Sequence, residues 1–305
     1  MHAEGLPAGL PVALDHRVRV WRDASVILGG SPWGVIRIAP AGRDFVRRLR
    51  AAGSSALAPS PGVEQSLADL LVARGVVYPV PGTPPRPALG VEVVVPAYER
   101  PDLLDTCLSA LRTASPDLRV IVVDDASTQA AVGEIARTHG ATVIRHPVNR
   151  GPAAARNTGL RQSHSEIVAF VDADCAVLPG WLEPLTAHFA DSRIAAVAAL
   201  IVPNAEGDGL LDRYQSASSA LDMGPDPELV THGGPLGFLP SATVLVRRDR
   251  LSHGDFDETM RVGEDVDLIW RLIDGGWLVR YEPAALVSHA VRPGIRGWAA
   301  RVADY

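Results

Sequence analysis

Two aspartates one residue apart, Asp172 and Asp174, close an apolar run in the stretch Ile167 to Pro179, IVAFVDADCAVLP. Carboxylates so spaced at the end of a buried strand suit a hard divalent cation. Mg2+ or Mn2+ takes oxygen ligands and keeps positions for water and substrate phosphates, so one or two carboxylates are enough. The same dipeptide spacing also occurs in ordinary turns, so the chemistry depends on what else the chain brings to that place. Other polar groups stand at comparable points. Pro96-Ala97-Tyr98-Glu99-Arg100 follows the apolar run Val91 to Val95, Asp124-Asp125 follows Val120 to Val123, and Arg156-Asn157 follows the loop Asn149-Arg150-Gly151. Glu264-Asp265 opens the stretch GEDVDLIWRL, and His289 follows the last apolar run. A carboxylate in such a group can take the proton of an attacking hydroxyl. Acids at the start of a helix also complement its dipole, the plainer reading of Glu264 and Asp265 taken alone. A histidine such as His289 is by default a buried core residue.

The elements that must position these groups are legible from periodicity. Strands over Val91 to Val95, Val120 to Val123, Thr142 to Arg145 and Ile167 to Val171 alternate with helices over Asp102 to Thr113, Ala130 to His139 and the segment carrying Arg156. Leu103, Leu104, Cys107, Leu108 and Leu111 form the apolar face of the first helix, with Pro101 in its first turn. Repeated strand–helix units with near-continuous apolar strands give an α/β fold, a mostly parallel, doubly wound sheet whose ligands gather at the strand C-termini. Further on, the pattern gives a helix near Pro179, a strand over Ala195 to Val202, a helix around Leu210 to Ala220 and a mobile loop around His232-Gly233-Gly234. Strands over Thr243 to Arg247 and Leu278 to Glu282 and a separate segment Val287 to His289 complete it. A dinucleotide-binding sheet would need a glycine-rich turn after the first strand, and Pro96-Ala97-Tyr98 stands there instead.

All 29 basic residues are arginine. Without lysine there is no Walker A loop, no pyridoxal-phosphate Schiff base, no imine-forming aldolase chemistry and no lysine-dependent phosphatase of the kind that also uses D-x-D. The cysteines Cys107 and Cys175 lack metal-type spacing and read as reduced and buried. No apolar run approaches a membrane span and no secretion signal opens the chain, which points to the cytosol.

Residues 1–80 read as a small winged-helix-like α+β module, with short β-runs at Arg17 to Trp21 and Ala24 to Leu28, a turn at Gly29-Gly30, and helices over Ala41 to Ala52 and Val63 to Arg74. A proline-rich linker, residues 81–89, separates it from a main domain of residues 90–305. The module carries nine arginines against six acids, a net +3 within a total of −6. That raises DNA binding as an idea, but nothing in the spacing of Arg43, Arg47, Arg48 and Arg50 supports it over a solvated helix face, and no nucleic-acid partner is expected.

The ordered set VVVPAYER, VVDDAS, NRGPAAARN, FVDAD and GEDVDLIWRL resembles the family-2 inverting glycosyltransferases of the GT-A fold, over about residues 91–290. The resemblance implies that Pro96, Tyr98, Glu99, Asp124 and Asp172 hold the nucleotide, with Arg156 near its base. It also implies that Asp174 and His289 are ligands of Mg2+ or Mn2+ and that Asp265 is the general base. Trp270 falls on the acceptor side, and Glu264 either orients the acceptor or supports the loop. Arg296-Gly297-Trp298 is a partial echo of a motif of processive members. With Leu28 to Gly34 and its flanking strands, the front module resembles the peptide-recognition domains of peptide-modifying pathways, and its pairing with this main domain resembles the glycosyltransferases of the mycofactocin system. That narrower likeness implies UDP-glucose as donor, a peptide-derived redox cofactor or its growing glucan chain as acceptor, and a C-terminally shortened copy of a longer enzyme. The competing expectations are an inert module that holds nucleotide and peptide without turnover, and a family-2 glycosyltransferase acting on another acceptor, a cell-wall or lipid glycan.

Overall fold

The computed structural model describes residues 6–53, 55–80, 90–204, 219, 221–253 and 255–290. The linker, the helix expected around Leu210 to Ala220 and the Arg296-Gly297-Trp298 echo lie outside these residues, apart from Ser219 within that helix.

The main sheet has nine strands, and its parallel half matches the alternating pattern of the sequence. Strands β6 (Val91–Ala97), β7 (Arg119–Asp124), β8 (Thr142–Arg145) and β9 (Ile167–Val171) lie in the order β9-β6-β7-β8, all parallel. Helices α3 (Pro101–Ala114), α4 (Ala131–Thr138) and α5 (Pro152–Gln162) make the crossovers. Strand residues alternate between two cores, as a period of two requires when both faces are covered. Val93, Val95, Ala169 and Val171 join Leu104, Leu108 and Leu111 of α3 and Val132 of α4. Val94, Val168 and Phe170 join Ala153, Ala155 and Leu160 of α5 on the opposite face.

Beyond β9 the sheet becomes mixed. β13 (Thr243–Arg247) is antiparallel to both β9 and β11 (Ile194–Asn204), and β14 (Leu278–Ala290) runs parallel to β11. Two short strands, β10 (Cys175–Val177) and β12 (Glu228–Leu229), pair antiparallel with β14. The mostly parallel sheet expected from the sequence thus carries its antiparallel pairings on one side of β9. The two segments expected at Leu278 to Glu282 and Val287 to His289 are one strand, with a register shift between Glu282 and Leu286 that accommodates Pro283. α6 (Leu182–His188) covers the α3 face and α7 (Glu264–Asp274) the α5 face.

The front elements are a meander, β2 (Arg19–Trp21), β3 (Val26–Gly29) and β4 (Gly34–Arg37), then α1 (Arg43–Ala52) and α2 (Val63–Ala73). β1 (Val12–Leu14) pairs antiparallel with β5 (Val77–Pro79). Phe45, Val46 and Leu49 of α1 meet Ala68, Leu71 and Val72 of α2 and Ile27 in a core of their own. β1, β4 and β5 are too short to leave a periodic signal.

Candidate active site

Parallel strands deliver their C-terminal ends to one edge, and Ala97 of β6 stands beside Asp124 of β7 in register. The turns that follow are tight. Glu99, Arg100 and Ala126 all take left-handed backbone conformations, which non-glycine residues adopt at a cost and which cluster at functional edges. Glu99 is held by its neighbours: its N–H donates to Ser127 Oγ at 2.8 Å, and its Oε1 accepts from Thr128 N–H at 2.7 Å and Thr128 Oγ1 at 2.8 Å. Those bonds, the Thr128 N–H foremost, hold its carboxyl below the usual range. Pro96 is half-buried at the end of β6, and Tyr98 is exposed beside Glu99. Asp124 is wholly buried, accepting from Ser127 N–H at 2.9 Å and from Arg145.

Arg156, expected near the nucleobase, stands on α5. α5 packs unusually close to β6, since a Cβ on Gly159 would sit 2.2 Å from Val94 Cγ1. One turn earlier on α5, the Arg156 guanidinium is buried. It donates from Nη2 to Asp172 Oδ1 at 2.7 Å and from Nη1 to Glu264 Oε1 at 2.9 Å, and it lies over the Phe256 ring. Burial opposes its charge, but Asp172, Glu264 and Asp265 outweigh burial and raise its affinity for the proton. Burial, with Asp174 beside it, pushes the Asp172 carboxyl above its ordinary value despite Arg156. Glu264, left open by the sequence between two roles, is buried and ion-paired with Arg156.

Asp265, next along α7, is partly exposed. Its Oδ1 accepts from Val266 N–H at 2.8 Å and its Oδ2 from Ser241 N–H at 3.2 Å, which leaves lone pairs on both oxygens. Trp270 is 46% exposed, so it presents its ring to solvent while its Nε1–H donates to Gly237 O at 2.8 Å. In the loop around His232, expected to be mobile, His232 Nε2 lies 2.9 Å from Asp274 Oδ1 and its ring meets Trp270 edge-on at 5.3 Å.

Asp174 and His289 meet because β10 pairs with β14, with Cys175 opposite His289. Asp174 Oδ2 stands 3.3 Å from His289 Nε2. Among the described residues no group of three or more His, Cys, Asp or Glu is arranged to hold a metal. A carboxylate and an imidazole fit an ion that draws its remaining ligands from a diphosphate and water, the habit of hard cations at phosphate sites. Cys107 and Cys175 are free and buried, as the sequence suggests, and burial pushes both thiols up.

Three positioning groups received no role from the sequence reading. Asp125 is buried and accepts from the N–H groups of Arg150, at 2.9 Å, and Gly151, at 2.8 Å, fixing the loop that starts α5, while His146 Nδ1 lies 2.7 Å from it. Asn157 binds the backbone of Phe256 in both directions. Glu258 joins Asn157 at 3.0 Å to Arg150 at 2.7 Å. The one available signal was the second aspartate of VVDDAS.

This architecture, a half-parallel sheet with acids at its strand ends and an acid-headed helix facing them, is that of the GT-A glycosyltransferases. The chain belongs to glycosyl transferase family 2, whose model matches residues 92–250. It is 41% identical, over 308 aligned residues and its whole length, to the pre-mycofactocin glycosyltransferase of Mycobacterium tuberculosis, and it spans 63% of that relative. Among solved structures it is similar to the mannosyltransferase PcManGT of Pyrobaculum calidifontis in complex with GDP-Man and Mn2+. There the TM-score is 0.54 and the identity 26%, covering 70% of this chain and 61% of that one. GalNAc-T7 with UDP, GalNAc and Mn2+ shares the fold at a TM-score of 0.51 and 17% identity, over 67% of this chain and 44% of that one.

Proposed function

We propose that the chain transfers glucose from UDP-glucose, with inversion, to a hydroxyl of a peptide-derived acceptor, the redox cofactor precursor named in its mycobacterial relative or its growing glucan chain. The observation that carries the reading is the Arg156 strut, which brings the helix of Asp265 against the strand end of Asp172 and Asp174. One carboxylate region faces the donor and another faces the acceptor, as a single displacement needs. Asp265 takes the acceptor hydroxyl proton, the oxygen bonds to the sugar C1 from one side, and the bond from C1 to the diphosphate breaks on the other. The products are the glycoside and UDP. Asp174 and His289 would hold Mg2+ or Mn2+, which supplies positive charge beside the diphosphate as that bond breaks.

Tyr98, Glu99, Pro96 and Asp124 form the nucleoside side of the edge, and Trp270 lies on the acceptor side. Residues 1–80 act as a peptide-recognition module joined by residues 81–89 to the catalytic domain of residues 90–305. No helix among the described residues is long and apolar enough to cross a membrane, and the expected setting is the cytosol. The test is UDP release from a panel of UDP- and GDP-sugars with Mn2+, with and without pre-mycofactocin, followed by the anomeric configuration of the product. Release from UDP-glucose that rises with the acceptor and gives a β-linked product supports the proposal. Asp265→Asn should then lower turnover by about 10²-fold or more with UDP affinity intact, and an active Asp265→Asn variant removes Asp265 from the role of base.

A further inference from the structure

One segment, Thr231 to Ser241, runs antiparallel along the whole of α7. At the far end His232 meets Asp274, in the middle Gly237 O accepts from Trp270, and at the near end Ser241 N–H donates to Asp265 Oδ2. α7 is about 15 Å long at the ordinary rise per residue. The strap therefore connects the carboxylate of Asp265 to a point at the opposite end of the helix. Its continuation is tied to the sheet as well, since Asp172 N–H donates to Ala242 O at 2.9 Å.

The far end of the strap is held by the front elements. Ser31, in the turn between β3 and β4, donates its N–H to Arg74 O at 2.8 Å and pairs its hydroxyl with Thr231 Oγ1. Gly234 is what lets the strap close on it, for a Cβ there would lie 2.4 Å from Ser31 Oγ. Other contacts of the same joint bypass the strap. Asp69 of α2 meets Arg193 Nη1 at 3.4 Å, next to the start of β11.

The geometry points to Ser31 as a positioning residue: through the Thr231 to Ser241 strap, the front elements set the placement of Asp265 at the head of α7. The inference rests on Asp265 as the base, the role given to it in the proposed reaction. A small displacement of such a group lowers the chemical step without touching donor binding.

The experiment uses the full chain with Mn2+ and UDP-glucose, with water or pre-mycofactocin as acceptor, and compares Ser31→Ala, Gly234→Ala and the control Asp69→Asn. Ser31→Ala removes a single oxygen and is expected to lower kcat about fivefold, the size of one neutral hydrogen bond, with KM for UDP-glucose within about twofold. Amide hydrogen exchange over residues 231–241 should quicken in Ser31→Ala and Gly234→Ala and stay unchanged in Asp69→Asn. Equal exchange over the strap in Ser31→Ala and the parent chain overturns the inference. A kcat drop of the same size in Asp69→Asn does so too, because any loosening of the joint would then suffice. If the parent chain turns over no UDP-sugar, it is the proposed function that fails, and the exchange comparison still decides the coupling of Ser31 to the strap.

Discussion

Arg156 Nη2 stands 2.7 Å from Asp172 Oδ1, so the first acid of the D-x-D pair is neutralised from below by a buried arginine while the second, Asp174, turns toward His289. The two aspartates are thus divided by their partners rather than by exposure: Asp172, 28% exposed in its side chain, is tied to the buried Arg156, and Asp174, at 39%, stands beside His289.

Removing the arginine should therefore unsettle the fold as well as the site. Arg156→Met leaves Asp172 and Glu264 without their shared partner, and an uncompensated buried charge costs about 3–5 kcal/mol. Glu264→Gln keeps an acceptor for Nη1 and should cost only about 1–2 kcal/mol. Urea unfolding of the two variants against the parent measures both. A loss in Arg156→Met no larger than that in Glu264→Gln would show that the strut adds nothing beyond one hydrogen bond.

The Asp174–His289 pair makes a separate prediction about the cation. UDP should bind the parent chain more tightly with Mn2+ than without it, and Asp174→Ala or His289→Ala should abolish that difference while leaving the metal-free affinity where it was. Calorimetric titration of UDP, with Mn2+ and with a chelator, reads it directly. A Mn2+ effect that persists in both variants would move the cation away from β10 and β14.

Asp125 has no place in the proposed chemistry, yet it should prove among the least replaceable acids. Asp125→Ala strands the part-buried N–H groups of Arg150 and Gly151 and the buried His146 ring, and a fully buried unsatisfied donor costs about 1–3 kcal/mol. The loop that starts α5 should loosen with it. The expected result is a lower unfolding midpoint and weaker UDP binding together; a variant of parental stability would mean that water replaces the carboxylate without loss.

Asp125 also marks where sequence reading stops. Five-residue apolar runs such as Ile167–Val171, buried on both faces, announce themselves, and the acids that end them can be named in advance. Which of two adjacent acids faces the ligand cannot, because successive strand residues point to opposite faces and the last residue of β7 is fixed only by pairing. The burial of Arg156 was hidden for a related reason: an arginine reads as a surface group until a glycine one turn away, Gly159, lets its helix sink onto β6. The two segments expected at Leu278 to Glu282 and Val287 to His289 are joined in β14 by a register shift that only the pairing with β11 reveals. β10 and β12, of three and two residues, carry too few positions to show a period, yet β10 is what brings Asp174 to His289.

The last prediction concerns acid. His188 of α6 is buried and its Nε2 lies 2.8 Å from Glu282 Oε2. Burial disfavours the imidazolium more than Glu282 favours it, so its folded value lies below the ordinary 6.5. The unfolded chain then binds a proton that the folded chain refuses, and stability falls as pH drops through 6.5 toward the lowered folded value. Glu282, itself held low despite burial by His188, adds the same sign below 4.5, whereas Glu228, raised by burial, opposes it at its own folded value. His188→Gln keeps a donor for Glu282 and cannot titrate. Urea midpoints taken between about pH 5 and 7 should therefore decline for the parent and decline less for His188→Gln. Equal slopes would show that the imidazole gains its proton without leaving the fold, and that the Glu282 carboxylate compensates it in place.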